Sequence, residues 1–251
     1  MKEKYNYIIS DLHIWPDRTI DQNWPYSKKE EELMEKKLIA LQRFITEKVD
    51  SCLQLWDLSV IPDIINELTN EFDKDKLKIL WWNRDNYDTL IQKENFLSDF
   101  WITNIWSTKI SYIRWTETHN KQKKYIYDKE VLSLEQLMNA IDFFKKPENQ
   151  KEIMITHETL EFIADILLWY KSSWIKKELL DMIFDNKFHP KYWIFWHHHT
   201  RFYIEINWTK FIWLWEADSL KINNLNKIYS LKSLNRYCET IRNNDLINIK
   251  K

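Results

Sequence analysis

The sequence predicts an α/β protein, and three observations point there. Strand-like apolar runs alternate with amphipathic helical patterns through the first half, alternating runs that read as hairpins follow in the second, and 251 residues are ample for a sizeable core. Strand–helix alternation implies βαβ units with parallel pairing, and the hairpins add antiparallel pairing.

Taken in order, the first strand run is Tyr5–Ser10. A helix follows over Lys28–Lys48, where Leu33, Met34, Leu38, Leu41 and Ile45 recur at three-to-four spacing beneath a charged face. Ser51–Leu55 is the next strand, and Asp63–Phe72 the next helix, introduced by Pro62 with Asp63 placed to help start it. Leu77–Leu80, Ile110–Arg114, Glu152–Thr156 and Tyr192–Phe195 continue the strand series. Helical patterns cover Ser133–Lys145, Leu160–Lys171 and Ile175–Asn186, and Ser133 with Gln136 has capping-box spacing. A hairpin near Arg201–Trp215 and a run near Lys227–Leu231 complete the set, while Glu117–Lys129 reads as an exposed, basic loop. The chain is expected to form one domain over residues 1–241, with room for an inserted loop or cap within 86–150, followed by a frayed tail over 242–251.

Composition excludes several function classes. A formal net charge of -1 argues against an indiscriminate nucleic-acid binder. No apolar run reaches the ~18 residues of a membrane span, and MKEKYNYIIS lacks the apolar stretch of a signal peptide. The expectation is a cytoplasmic protein with no membrane partner. Cys52 and Cys238 match no metal or disulfide spacing and read as ordinary reduced thiols.

Average usage would supply ~7% glycine, roughly 18 residues here. This chain has none, and it has 15 tryptophans. Many of these stand where the chain must bend. Trp208 follows Asn207 between two alternating runs, where Asn-Gly is the usual type I′ hairpin turn. Trp56, Trp82 and Trp196 each close an apolar run immediately before Asp57, Asn83 and His197. The economical reading is that most of these codons are UGA, decoded as glycine in the source organism, with Trp56, Trp82, Trp196 and Trp208 the best candidates.

Five short clusters of metal-type ligands each fall just after a strand: Asp11-Leu12-His13, Asp57, Asn83-Arg84-Asp85, His157 and His197-His198-His199. The carboxyl ends of strands are where ligand sites assemble in α/β sheets. Asp11 and His13 are two apart, so on extended backbone they share a face, and His197 and His199 share that property. Imidazole nitrogens with carboxylate oxygens suit Mn, Fe or Zn better than Ca.

With Trp read as glycine, the order becomes D-L-H, G-D, G-G-N-R-D, H and G-H-H-H. This resembles the calcineurin-like metallophosphoesterase superfamily, whose pattern is DxH, GD, GNH(D/E), H and GHxH, and the resemblance spans about Asp11 to His199. It implies a four-layer α/β/β/α sandwich of two mixed sheets flanked by helices. It makes Asp11, His13 and His199 ligands of one metal, Asn83, His157 and His197 ligands of a second, and Asp57 the bridge. His198 is the variable middle position of the last motif, and His119 and His189 match no motif.

One position departs from the pattern. Arg84 stands where the superfamily has a histidine thought to protonate the leaving group, and a guanidinium with a pKa above ~12 cannot do that near neutral pH. It can clamp a phosphate bidentately and stabilise transition-state charge, with Asp85 orienting the loop. The activity implied is hydrolysis of a phosphomonoester or phosphodiester, in a small molecule or a phosphorylated substrate. Two divalent ions (Mn, Fe, Zn, Mg or Ni) about 3.5–4 Å apart would serve in-line attack by a bridging hydroxide. Two alternatives stand beside it. One is a nuclease of the same superfamily, which the near-neutral charge disfavours; the other is a binding or scaffold protein with weakened turnover, for which Arg84 is the pointer.

Overall fold

The computed structural model describes residues 5–10, 12, 14, 27–55, 58–59, 61–80, 86–114, 132–157, 159–160, 162–163, 181, 185, 188–195, 202–214, 218–222 and 228–230. Among them the chain forms two mixed sheets with flanking helices, in two compact units.

The first unit takes in residues 1–96 and 216–251. Its elements begin with β1 (Tyr5–Ile9), α1 (Lys28–Lys48), β2 (Val49–Leu55), α2 (Pro62–Glu71), β3 (Leu77–Leu80) and α3 (Tyr87–Leu90). A parallel core β1-β2-β3 is held in the register Ile9↔Gln54 and Gln54↔Ile79. Helix α1 starts where Ser27 and Glu30 close a reciprocal capping box, which satisfies two backbone N–H groups otherwise left without partners. Its buried stripe is Met34, Leu38, Leu41 and Ile45, packed with Tyr7, Ile9, Leu77 and Ile79 of the sheet. Leu33, counted in that stripe from spacing alone, is exposed. It lies about 100° round the helix from Met34 and falls off the packed face. Helix α2 has no side-chain cap; Pro62 opens it and Ile64, Ile65 and Leu68 dock it. Asn95 joins α2 to β3 by donating from Nδ2 to the carbonyls of Phe72 (2.9 Å) and Leu77 (2.8 Å).

The second unit takes in residues 97–215. It contains β4 (Phe100–Ile105), β5 (Thr108–Ile113), α4 (Leu134–Phe144), β6 (Ile153–Thr156), β7 (Tyr192–Phe195), β8 (Phe202–Ile206) and β9 (Thr209–Trp213). The spatial order is β4-β5-β6-β7-β9-β8, with β5, β6, β7 and β9 parallel and an antiparallel strand at each edge. The expected capping box of Ser133 and Gln136 opens α4. Its Phe144 stacks on Phe188, and Trp193 stacks on Phe211. In the first unit, β10 (Asp218–Lys221) pairs antiparallel with β1 and β11 (Ile228–Ser230) pairs antiparallel with β10, giving the order β11-β10-β1-β2-β3. Of the helices expected over Leu160–Lys171 and Ile175–Asn186, Leu160 is described and is not helical, residues 162–163, 181 and 185 are helical, and the rest lies outside the described residues.

Two strands were not legible. The β4 strand has a half-exposed edge pattern, and its link to β5 is Trp106-Ser107, which carries no turn signature. The β10 strand is four residues with polar ends. The β4–β5 link nonetheless has the backbone of a tight turn: Trp106 has φ 52°, the positive value that glycine supplies at the first central residue of a type II′ hairpin. In the β8–β9 hairpin both central residues are positive, Asn207 at 49° and Trp208 at 69°, as a type I′ turn requires. Asparagine tolerates this region, whereas a bulky residue there is strained by roughly 1–3 kcal/mol. Neither ring recovers that by packing, since Trp106 is 76% and Trp208 88% exposed. Trp106→Gly and Trp208→Gly are therefore each expected to stabilise the fold by about 0.5–1 kcal/mol, raising Tm by roughly 1–4 °C. A lowered Tm in both would show that the turns do not store strain.

Candidate functional site

The candidate site is built from strand ends. In the first sheet β1, β2 and β3 run parallel and side by side, so the segments leaving them emerge at one edge. Leu55 pairs with Leu80 in the last described rung of β2 and β3, and Asp57 and Asn83 follow two and three residues further along the sequence. Asp11 follows two residues after Ile9, the end of β1. Side-by-side parallel strands are what bring three loops, distant in sequence, to a common edge.

Polar ties reinforce that edge. The Ile14 N–H donates to the Leu58 carbonyl at 3.0 Å, joining the segment after β1 to the segment after β2. The buried Ser59 hydroxyl donates to the Ile14 carbonyl (3.1 Å) and accepts from the Ile61 N–H (3.0 Å). The Ser59 carbonyl accepts from the N–H of Asn86, immediately after the third cluster, at 3.1 Å. One serine thus touches all three motif-bearing connections. Sequence reading missed it, although its position two residues after Asp57 was a signal. Leu12 and Ile14, which alternate with Asp11 and His13, lie in the apolar core with α1 and α2.

In the second sheet β6 and β7 run parallel with Ile155 paired to Ile194. His157 is the residue directly after β6 and is buried. The indole Nε1 of Trp193 in β7 donates to the Thr156 hydroxyl at 2.8 Å, tying the two strands beside the histidine. The His197-His198-His199 run begins two residues after β7 ends. Of the expected site residues, His157 is the one described. Asp11, His13, Asp57, Asn83, Arg84, Asp85, His197 and His199 lie outside the described residues. Among the described residues, no group of three or more His, Cys, Asp or Glu side chains could hold a metal.

Two further titratable groups are buried in the sheets. Tyr112 in β5 donates or accepts across 3.0 Å with the Ser98 hydroxyl. Burial first, with the Asp99 charge adding, pushes its phenol up to about 12 against the opposing pull of that bond. Cys52 lies in the middle of β2, where burial pushes its thiol up to about 12, with Lys76 and Lys78 pulling weakly the other way. It is a protonated, inert core thiol, as expected from its spacing.

Neither the known protein-family models nor the curated protein sequences give a match to this chain. Solved structures similar to it are calcineurin-like metallophosphoesterase-fold proteins. A dimetal phosphatase from Danio rerio is 10% identical with a TM-score of 0.49, over 87% of this chain and 93% of that one. A candidate 5′-nucleotidase from Staphylococcus aureus is 12% identical with a TM-score of 0.48 over 85% of this chain, which spans about half (49%) of that protein's length. A phosphopantetheinyl hydrolase from Mycobacterium tuberculosis is 12% identical with a TM-score of 0.42, over 85% of this chain and 90% of that one. Among the described residues no helix is long and apolar enough to cross a membrane.

Two measurements check this description. Ser59→Ala removes a buried donor to Ile14 and an acceptor for Ile61, and should lower stability by about 1–3 kcal/mol in thermal or urea unfolding; wild-type stability would mean the loops are held independently of it. Cys52 should resist iodoacetamide at pH 8 in the native protein and react only on unfolding, read by peptide mapping, because its thiolate forms only near pH 12.

Proposed function

We propose that this chain is a dinuclear-metal-dependent phosphoesterase that hydrolyses a phosphomonoester or phosphodiester. One observation carries the reading: every cluster of metal-type residues directly follows a strand of a parallel set, β1, β2 and β3 in one sheet and β6 and β7 in the other. The donor set fits the group. Imidazole, carboxylate and amide donors are what Mn, Fe, Zn and Ni accept, and Mg accepts the oxygens among them. Asp11, His13 and His199 would hold one ion, Asn83, His157 and His197 the other, with Asp57 shared. When bound, such a pair neutralises phosphoryl oxygens and brings the pKa of a water near neutrality.

The chain's own residues supply the rest. Asp57 would fix the separation of the two sites. Arg84 would grip two phosphoryl oxygens with its planar fork, and being permanently protonated it delivers no proton to the leaving oxygen. The leaving oxygen then takes its proton from solvent or departs as the anion, which favours esters of acidic alcohols or phenols. Asp85 would hold the Arg84 loop in place. The site takes a phosphate ester in a small molecule or on a phosphorylated macromolecule.

The test is turnover of a generic aryl phosphate with Mn added, on protein carrying glycine at Trp56, Trp82, Trp196 and Trp208. Loss of a residue that merely orients a metal ligand costs about 10–100-fold, so loss of a ligand itself should cost more. Asp57→Asn and His157→Ala are expected to lose at least roughly a hundredfold in kcat/KM. Full activity in either variant refutes the assignment. Bound metal without turnover on a panel of mono- and diesters would favour a binding or scaffold role.

A further inference from the structure

We propose that Asn207 is a self-modification site: with glycine at position 208, its side-chain amide is lost through a backbone succinimide at a rate set by opening of the β8–β9 hairpin. The site stands apart from the strand-end clusters and does not depend on the phosphoesterase reading. Asn207 and Trp208 are the two central residues of the turn, both exposed, with φ of 49° and 69°. Position 208 is one of those read as glycine, and asparagine followed by glycine is the most reactive pair for this chemistry, because no Cβ crowds the attacking nitrogen.

The step needs only the chain and water. The backbone nitrogen of residue 208 gives up its proton and bonds to Asn207 Cγ. The Cγ–Nδ2 bond breaks, and ammonia leaves with that proton. Water then opens the cyclic imide at one of its carbonyl carbons. Opening at the side-chain carbonyl leaves aspartate, which adds a charge and keeps the turn. Opening at the backbone carbonyl leaves isoaspartate, with one additional carbon in the main chain. A two-residue loop lengthened in this way no longer matches the twist of its strands, so the closing rung Ile206↔Thr209 is lost and β8 loosens.

The closed turn opposes the reaction. The first central residue of a type I′ turn has ψ near about +30°, which points the following nitrogen away from its own Cβ. Attack needs that nitrogen to eclipse Cβ, so the turn must open first. Three features make opening accessible. Strand β8 is the last of its sheet, and among the described residues it pairs only with β9, from Phe202↔Trp213 to Ile206↔Thr209. Tyr203 and Glu205 of β8 are exposed. Thr209, which closes the turn, is fully buried, and its hydroxyl has no hydrogen-bond partner. The closed hairpin therefore carries an unmet polar group that water satisfies on opening. An edge strand with such a defect opens well below the free energy of global unfolding.

The experiment compares the full chain as written, the full chain with Trp208→Gly, and the latter with Thr209→Val added. Each is incubated at neutral pH, folded and in concentrated urea. Peptide mapping reads the gain of about 1 Da at Asn207, and methyl transfer by an isoaspartate methyltransferase counts the isoaspartate. The Asn23-Trp24 pair keeps its tryptophan throughout and serves as an internal reference. In urea the Trp208→Gly chain should convert at Asn207 ahead of its other asparagines, and far faster than the chain as written. Folding should slow that conversion about tenfold to a hundredfold. Thr209→Val removes the orphaned hydroxyl and should slow the folded rate by a further factor of about three to ten, leaving the rate in urea unchanged. No preference for Asn207 in urea overturns the modification site. Equal folded and unfolded rates, or a folded rate that Thr209→Val leaves unchanged, overturn control by the hairpin. Should Thr209→Val fail to fold, the comparison of folded and unfolded Trp208→Gly protein still decides.

Discussion

Parallel pairing is the constraint on which the rest depends. A parallel pair needs a long crossover, so each strand returns to the same edge of its sheet before the next loop begins. In the first sheet, α1 and α2 supply those crossovers, and both are docked through apolar stripes onto one face of β1, β2 and β3. Burial of Ile8 and Leu53 on the reverse face covers β1 and β2 on both sides, which leaves little tolerance for a register slip. The apolar pattern thus fixes which residues come last in each strand. The chain therefore leaves each strand from a point set by core packing.

Packing aligns strands to within a rung, and polar contacts at the strand ends add finer control. Ser59 links the connections after β1, β2 and β3 through one hydroxyl and one carbonyl. Trp193 and Thr156 do similar work between β7 and β6, and Asp99 holds Arg114 at the end of β5. Each bond is worth only about 0.5–1.5 kcal/mol net. Their value lies in direction: a buried polar group has few satisfactory positions, so it holds a loop to a geometry that apolar contacts leave loose.

This division explains what could be read from the chain alone. Helix α1 was expected over Lys28–Lys48 and occupies those residues, because a long stripe and strong flanking signals agree. The same holds for β3, β7 and the Ser133–Gln136 cap. The relation of each ligand cluster to a strand end was legible for the same reason. The part played by Ser59 was not, since it depends on a partner 45 residues away that only the register brings close. The β4 strand escaped because the residue that should announce its turn was tryptophan. Leu33 was misplaced because spacing alone does not centre a stripe.

The tryptophans divide by the same physics, and the division bears on the site. Trp193 and Trp213 are fully buried in extended strands, where Trp193 stacks on Phe211 and Trp213 lies 5.0 Å from Phe195. Such positions ask nothing of the backbone that a large residue cannot meet. Trp106 and Trp208 stand in the left-handed region with their rings in solvent, where only the absence of a side chain relieves the strain. At these exposed hairpins solvent accommodates the ring, and its cost falls on stability. Trp56, Trp82 and Trp196 adjoin Asp57, Asn83 and His197 in sequence, so under the proposed phosphoesterase reading glycine is the residue expected there. Exchange to glycine at the two hairpins therefore acts on folding, through backbone strain that no buried contact offsets.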